Sequence, residues 1–190
     1  YRVPRLAYFL QSRMGVGVNG LVMVSPYLDP AAIGDETSLS PLPWAINLPS
    51  MAAGNFERQG KLNATTMGEV ENYARGEFIT DFLKGSADKA ATDRLSAKVA
   101  EYTGLDPALV RRMDGRVDTR TYLREVHRAT GQVGSVYDSN VTAYDPFPAS
   151  ADANYNDPLL DGIIAPTTSA AVDFTTNQVG WKADWHYETL

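Results

Sequence analysis

The sequence predicts a mainly α protein with a small β component, and three observations carry that expectation. Punctuated helical segments follow one another from residue 49 to about residue 131. One short apolar run lies near the start, and one stretch of β-forming residues follows the helices.

Arg2 to Met14 place Val3, Leu6, Ala7, Phe9 and Leu10 on one broad helical face. Pro4 falls in the first turn, where its missing amide has no partner to lose. Gly20-Leu-Val-Met-Val-Ser25 then predicts a strand covered on both faces, as in a parallel sheet. No other run in the chain offers that strand an equally convincing neighbour, so residues 1–29 read as a helix and a strand of a larger core.

Pro30 to Pro49, with Gly34, Pro41 and Pro43 between, predicts an irregular connector. Pro49 suits the first position of a helix carrying Met51, Ala52 and Phe56, with Gly60 as its stop. Thr66-Met-Gly-Glu69 has the form of a capping box, followed by Val70, Tyr73, Ala74, Phe78 and Phe82 at helical spacing up to Gly85. Asp88 to Thr103 predicts a helix striped by Ala91, Leu95, Val99 and Tyr102 and ended by Gly104. Asp106-Pro107 opens a short helix through Met113. Asp118 or Thr119 caps another, with Tyr122, Leu123 and Val126 inward and Gly131 after it. Val133 to Asp145 predicts an irregular extended arm, and Phe147 to Pro158 a loop. Leu159 to Val179 gives a weaker helical pattern interrupted by Pro166, and Gly180 to Leu190 carries Trp181, Trp185 and Tyr187 without a period.

The 190 residues are 44% hydrophobic, enough to fill one core. A net charge of −6 and a pI near 4.9 argue against a nucleic-acid partner, because phosphate binding needs clustered Lys and Arg. No apolar run approaches the roughly 20 residues of a membrane-spanning helix. The absence of cysteine excludes disulfides, thiolate metal sites and a Cys nucleophile.

Gly15-Val-Gly-Val-Asn-Gly20 spells the dinucleotide fingerprint, but it follows a helix and opens a strand, the reverse of what a pyrophosphate cradle requires. It reads as a helix stop and a tight turn. His127 and His186 are the only histidines, so a His-x-x-x-His zinc site is impossible. His127 reads as a packed or half-exposed residue beside the stripe of its helix. Glu69, Glu71 and Glu77 read as first-turn and solvent-face charges. Asn63-Ala-Thr and Asn140-Val-Thr are glycosylation sequons in a eukaryotic secretory setting alone. No catalytic set, metal site or cofactor is expected within these residues.

Tyr1-Arg-Val-Pro-Arg-Leu-Ala7 and Val18-Asn-Gly-Leu-Val-Met-Val-Ser-Pro-Tyr-Leu-Asp29 resemble the segment after the nucleophile serine in the serine carboxypeptidases. In that family a Gly-Glu-Ser-Tyr-Gly-Gly type elbow leads into a helix, and a strand ending in Leu-x-Asp follows. Leu48-Pro-Ser-Met-Ala-Ala53, Gly60-Lys-Leu62, Glu69-Val-Glu71, Tyr102-Thr-Gly-Leu105 and Val133-Gly-Ser-Val-Tyr-Asp-Ser139 are similar, in the same order, to the cap region of its bacterial branch.

The resemblance implies one helix and one strand of an α/β-hydrolase core at 1–29, a helical cap or lid at 30–179, and a segment leading back to the core at 180–190. It places the nucleophile just before Tyr1 and the catalytic Asp and His after Leu190, so none of the triad lies in this chain. The implied substrate is a peptide with a free C-terminal carboxylate, and the implied compartment is periplasmic or extracellular. Tyr27 matches a family residue lining the pocket for the side chain that precedes the scissile bond. The alternatives are the cap of another hydrolase, an esterase or acyltransferase, and a non-catalytic helical binding module. An uncovered strand and apolar helix face also lead to the expectation of a homodimer.

Overall fold

The computed structural model describes residues 2–26, 28, 40–149 and 155–181, and these residues are mainly helical with one two-stranded sheet. The chain divides into two units, 1–43 and 44–190.

In the first unit α1 spans Arg2–Arg13, as its apolar spacing predicts. It closes at Gly15, whose φ of 65° is open to glycine at little cost, and the Val16 amide reaches back to the Leu10 carbonyl at 3.0 Å. The fingerprint-like glycines thus form a helix stop. The strand expected at Gly20–Ser25 does not form: the backbone there is irregular, and Val22 and Val24 are 94% and 88% exposed. A strand exists only by pairing, and among the described residues nothing pairs with this one. Tyr27, most of the 30–49 connector before Ser40, and the 180–190 segment beyond Trp181 lie outside the described residues.

α2 spans Leu42–Arg58 and holds Pro49 in its interior, where the sequence suggested a start. Ala45, Leu48 and Ala52 are buried at helical spacing on both sides of the proline. Burial of that stripe outweighs the roughly 3 kcal/mol that an interior proline costs. α3 (Ala64–Arg75) begins one turn earlier than expected. Asn63 is its N-cap, accepting from the amides of Thr65 and Thr66, while the Thr66 hydroxyl accepts from the Asn63 amide. Thr66 is therefore the third helical residue of a capping box, with Asn63 as its cap.

Gly76 breaks what reads as one helix into α3 and α4 (Glu77–Lys84). Val70, Tyr73 and Ala74 are buried before the break and Phe78 and Phe82 after it. The stripe stays in phase across the glycine, which is why periodicity alone does not reveal the interruption. α5 (Lys89–Thr103), α6 (Pro107–Arg112) and α7 (Thr119–Glu125) are capped by Asp88, Asp106 and Asp118; the sequence predicts the Asp106 cap, and of the two candidates at α7 it is Asp118 that caps. The extended arm is a regular antiparallel hairpin of β1 (Gln132–Gly134) and β2 (Thr142–Tyr144), pairing Val133 with Ala143. α8 (Pro158–Asp173) runs through Pro166 unbroken and continues as a wider turn, Phe174–Gln178.

The core lies among α2 to α7. Tyr73 packs edge-on against both Phe78 and Tyr102, Phe78 stacks on Phe82, and Phe56 meets Tyr102 edge-on. Such contacts add about 0.5–1.5 kcal/mol each to the area they bury. Burial, reinforced by the nearby Asp81 carboxylate, pushes the Tyr73 phenol well above its ordinary range, so it stays neutral. Arg94, and after it Lys84, holds the Asp81 carboxyl below its ordinary value through direct hydrogen bonds.

Gly104 ends α5 at φ 73°, and an added Cβ would stand 2.4 Å from Oδ1 of Asn55. Asn55 Nδ2 in turn donates to the carbonyls of Tyr102 and Glu101, tying α2 to the end of α5. Gly104→Ala should therefore lose about 2–4 kcal/mol in urea unfolding, from a left-handed backbone and displaced hydrogen bonds together. Gly60→Ala, at φ 65° with open space around it, should lose only about 1 kcal/mol. Equal losses would show that Asn55 is not a joint between the helices.

Candidate functional site

The described residues enclose a groove of about 480 Å³ between α2, α7 and the hairpin loop. Its floor comes from α2, where Asn47, Ser50, Met51, Gly54 and Glu57 recur at three- and four-residue steps and so share one face. Thr119, Tyr122 and Leu123 of α7 form one side, and Ser135 to Ser139 form the other.

Tyr122 joins α7 to the floor. Its side chain is buried, its hydroxyl donates to the Met51 carbonyl at 2.9 Å, and it accepts from the Arg58 guanidinium at 3.2 Å. Gly54 permits the close approach of the loop, since a Cβ there would stand 2.3 Å from the Ser139 hydroxyl and 3.0 Å from the Tyr122 hydroxyl. Arg58 also donates to Asn140 Oδ1 at 2.8 Å, and Asn140 Nδ2 donates to Glu57 at 2.6 Å. These bonds fasten the loop to the end of α2.

The hairpin is held from behind by an ion pair between Arg124 of α7 and Asp145, whose side chains are 5% and 4% exposed. Two guanidinium nitrogens reach the two carboxylate oxygens, and the Phe147 carbonyl also accepts from Arg124. This forked geometry is the one that suits arginine to buried carboxylates. Within the loop the Ser135 amide donates to the Val141 carbonyl and the Val141 amide to the Asp138 carbonyl, both at 2.9 Å.

Asp157 fixes the outer end of the wall. One carboxylate oxygen accepts from the Ser135 hydroxyl and from the Leu159 and Leu160 amides, while the other accepts from the Val136 amide at 2.8 Å. The residue is thus the N-cap of α8 and a clasp on the loop at once. Burial opposes its ionisation, but these donors outweigh that penalty and hold the carboxyl below its ordinary value.

His127 is half-buried, and its Nε2 meets the Ser139 carbonyl at 2.6 Å. It therefore braces the loop, and among the described residues no side-chain hydroxyl partners its ring. His186 and Tyr27 lie outside the described residues. Glu69, Glu71 and Glu77 stand apart from the groove, and Asn63 serves as a helix cap. The groove residues themselves have no mark in the sequence as a group, because residues 47–57, 119–123 and 135–139 meet only through long-range packing. Among the described residues no three His, Asp or Glu side chains gather as a metal-ligand set, and no helix is long and apolar enough to cross a membrane.

Comparisons with protein-family models, with curated proteins and with solved structures gave no match.

Arg124→Met should cost about 3–5 kcal/mol in urea unfolding, because it leaves the Asp145 carboxylate buried and short of donors. The double variant Arg124→Met/Asp145→Leu should recover most of that loss. A single-variant cost below about 1 kcal/mol, the range of an exposed pair, would mean that the hairpin does not depend on this bond. The Asp157 clasp has its own pH signature. With the folded value depressed, its contribution is full above the unfolded value of roughly 3.9 and is lost as pH falls through the folded one. Asp157→Asn should therefore flatten the acid limb of the stability–pH curve, and an unaltered limb would remove Asp157 from the account.

Proposed function

We propose that the chain is the cap-bearing segment of a serine carboxypeptidase, with its Ser, His and Asp supplied by flanking sequence. The ordered series of family-like segments from Tyr1 to Ser139 carries this reading. The largely helical body suits a cap, and the exposed apolar residues Val3, Leu6 and Phe9 of α1, with Val22 and Val24 after it, suit elements that a sheet would cover.

In the intact enzyme the serine would attack the last peptide carbonyl. The histidine would take its proton and return it to the leaving amine, the aspartate would orient the histidine, and backbone amides would hold the oxyanion. Tyr27 would line the pocket for the side chain before the scissile bond. The free carboxylate of the substrate separates this reading from an esterase or acyltransferase sharing the fold. The periplasm or extracellular space is the compartment proposed with it. A second reading, a helical binding module without any triad, is favoured by the groove, whose lining mixes polar side chains such as Asn47, Ser50 and Glu57 with apolar ones such as Met51 and Leu123.

The purified 190-residue chain should turn over no blocked dipeptide, and measurable hydrolysis would contradict the placement of the triad outside it. Sequencing the coding region before Tyr1 tests the enzyme against the module: a Gly-x-Ser-x-Gly elbow is expected, and an unrelated linker would overturn the proposal. In the complete protein, Tyr27→Ala should change preference for the residue preceding the scissile bond, read as a kcat/KM ratio between two peptides. An unchanged ratio would assign Tyr27 to packing. The uncovered α1 face should also make the isolated chain dimeric by light scattering, and a monomer at high concentration would contradict that.

A further inference from the structure

Several asparagines of the described residues have their side chains engaged. Asn63 caps α3, Asn55 Nδ2 donates to the Tyr102 and Glu101 carbonyls, Asn72 accepts from Arg75, Asn140 accepts from Arg58, and Asn177 donates to Asp173. Asn19 differs in its surroundings and in its successor. It is exposed, on irregular backbone between the stop of α1 and Leu21, and Gly20 follows it, making the only Asn-Gly pair in the sequence. Among the described residues no hydrogen bond engages the Asn19 side chain or the Gly20 amide. A Cβ on Gly20 would meet nothing within 4 Å, so no other part of the chain crowds this bond.

That combination is reactive. An asparagine side chain is electrophilic at Cγ, and the amide nitrogen of the next residue can close a five-membered ring on it. Closure needs a nitrogen that is unshielded and not held by an acceptor, and a backbone able to turn it toward the side chain. Glycine, with no Cβ beside that nitrogen and the widest choice of φ and ψ, meets both needs. The two Asp-Gly pairs do not meet them. The Gly115 amide donates to the Val110 carbonyl at 3.0 Å, and the Asp114 carboxylate before it accepts from Arg111 and Ser86. Asp161-Gly162 lies inside α8, where the helical ladder directs the amide away from its own side chain.

We propose that Asn19 is a site of spontaneous deamidation and isomerisation. Hydroxide removes the Gly20 amide proton, and the nitrogen attacks Asn19 Cγ. The new N–Cγ bond forms, the Cγ–Nδ2 bond breaks, and ammonia leaves with a proton from water, which regenerates hydroxide and gives a succinimide. Water then opens the ring at either carbonyl. Cleavage of the N–Cγ bond leaves aspartate at 19, and cleavage of the original peptide bond leaves isoaspartate, with the chain running through the side chain. Nothing is oxidised or reduced, and water is the one co-reactant. Either product adds a negative charge to the net −6, and isoaspartate lengthens the backbone by a methylene between α1 and the apolar run Leu21–Val24. The proposal concerns this junction alone and does not rest on the peptidase reading.

The test is peptide mapping of the purified 190-residue chain after incubation at neutral and at mildly alkaline pH, with fragmentation that separates isoaspartate from aspartate. Residue 19 should convert at least about tenfold faster than any other asparagine of the described residues. A rise of one pH unit should speed it by up to about tenfold, the factor by which the deprotonated amide increases. Gly20→Ala, which the open space accommodates, should slow conversion by at least about tenfold, and Asn19→Gln should abolish it, since its ring would need a sixth member. In guanidinium chloride the rate should stay within about threefold of that of the native chain, because the fold withholds nothing at this junction. An Asn19 that persists unchanged, a rate indifferent to pH or to Gly20→Ala, or conversion that requires the denaturant would overturn the inference.

Discussion

The hairpin stays on the helical body because one guanidinium is buried behind it. Two strands of three residues cannot stand alone in water, and this pair has no third strand among the described residues. Arg124 supplies what the sheet lacks, by forking onto Asp145 at the far end of the hairpin and onto the Phe147 carbonyl just beyond. Neither charge stays buried without the other, so the pair specifies where the hairpin sits even where it adds little net stability. The loop, its contacts with α2, and the groove wall all follow from that position.

The wall has several supports, drawn from separate elements. Gly54 gives the space in which Ser139 approaches α2, Tyr122 holds α7 to the same stretch of backbone, and Asp157 links the loop to the first turn of α8. Each support satisfies buried or half-buried polar groups that would otherwise be costly, so the groove is polar without being loose. Acyl transfer, in the reading proposed above, belongs to residues flanking the chain.

Much of the helical body was legible because its signals are local. Asp88, Asp106-Pro107 and Asp118 begin their helices through side-chain bonds to amides two or three residues on, and Gly104 ends α5 through its own backbone freedom. The stripes of α3, α4, α5 and α7 are the core for the same reason, since helical spacing alone puts Val70, Leu95, Val99 and Tyr122 on inward faces. Pro49 and Gly76 misled in opposite senses: core burial carried a helix through the first, while an in-phase stripe hid the break at the second. The apolar run Leu21–Val24 met the pattern of a strand, yet pattern without a pairing partner makes no sheet. Arg124, Asp145 and Asp157 could not be read as a group, because each looks like an ordinary surface charge until the tertiary fold brings its partner from 21 or 22 residues away.

The account turns on the hairpin loop being a fixed part of the body. Hydrogen exchange at the Ser135, Val136, Val141 and Asp145 amides measures that directly, since all four donate to protein acceptors in the native fold. These amides should exchange slowly, with protection comparable to that of α7. Exchange at the rate of an unstructured loop while α5 and α7 remain protected would contradict the claim that the buried pair and the Asp157 clasp hold the groove in place.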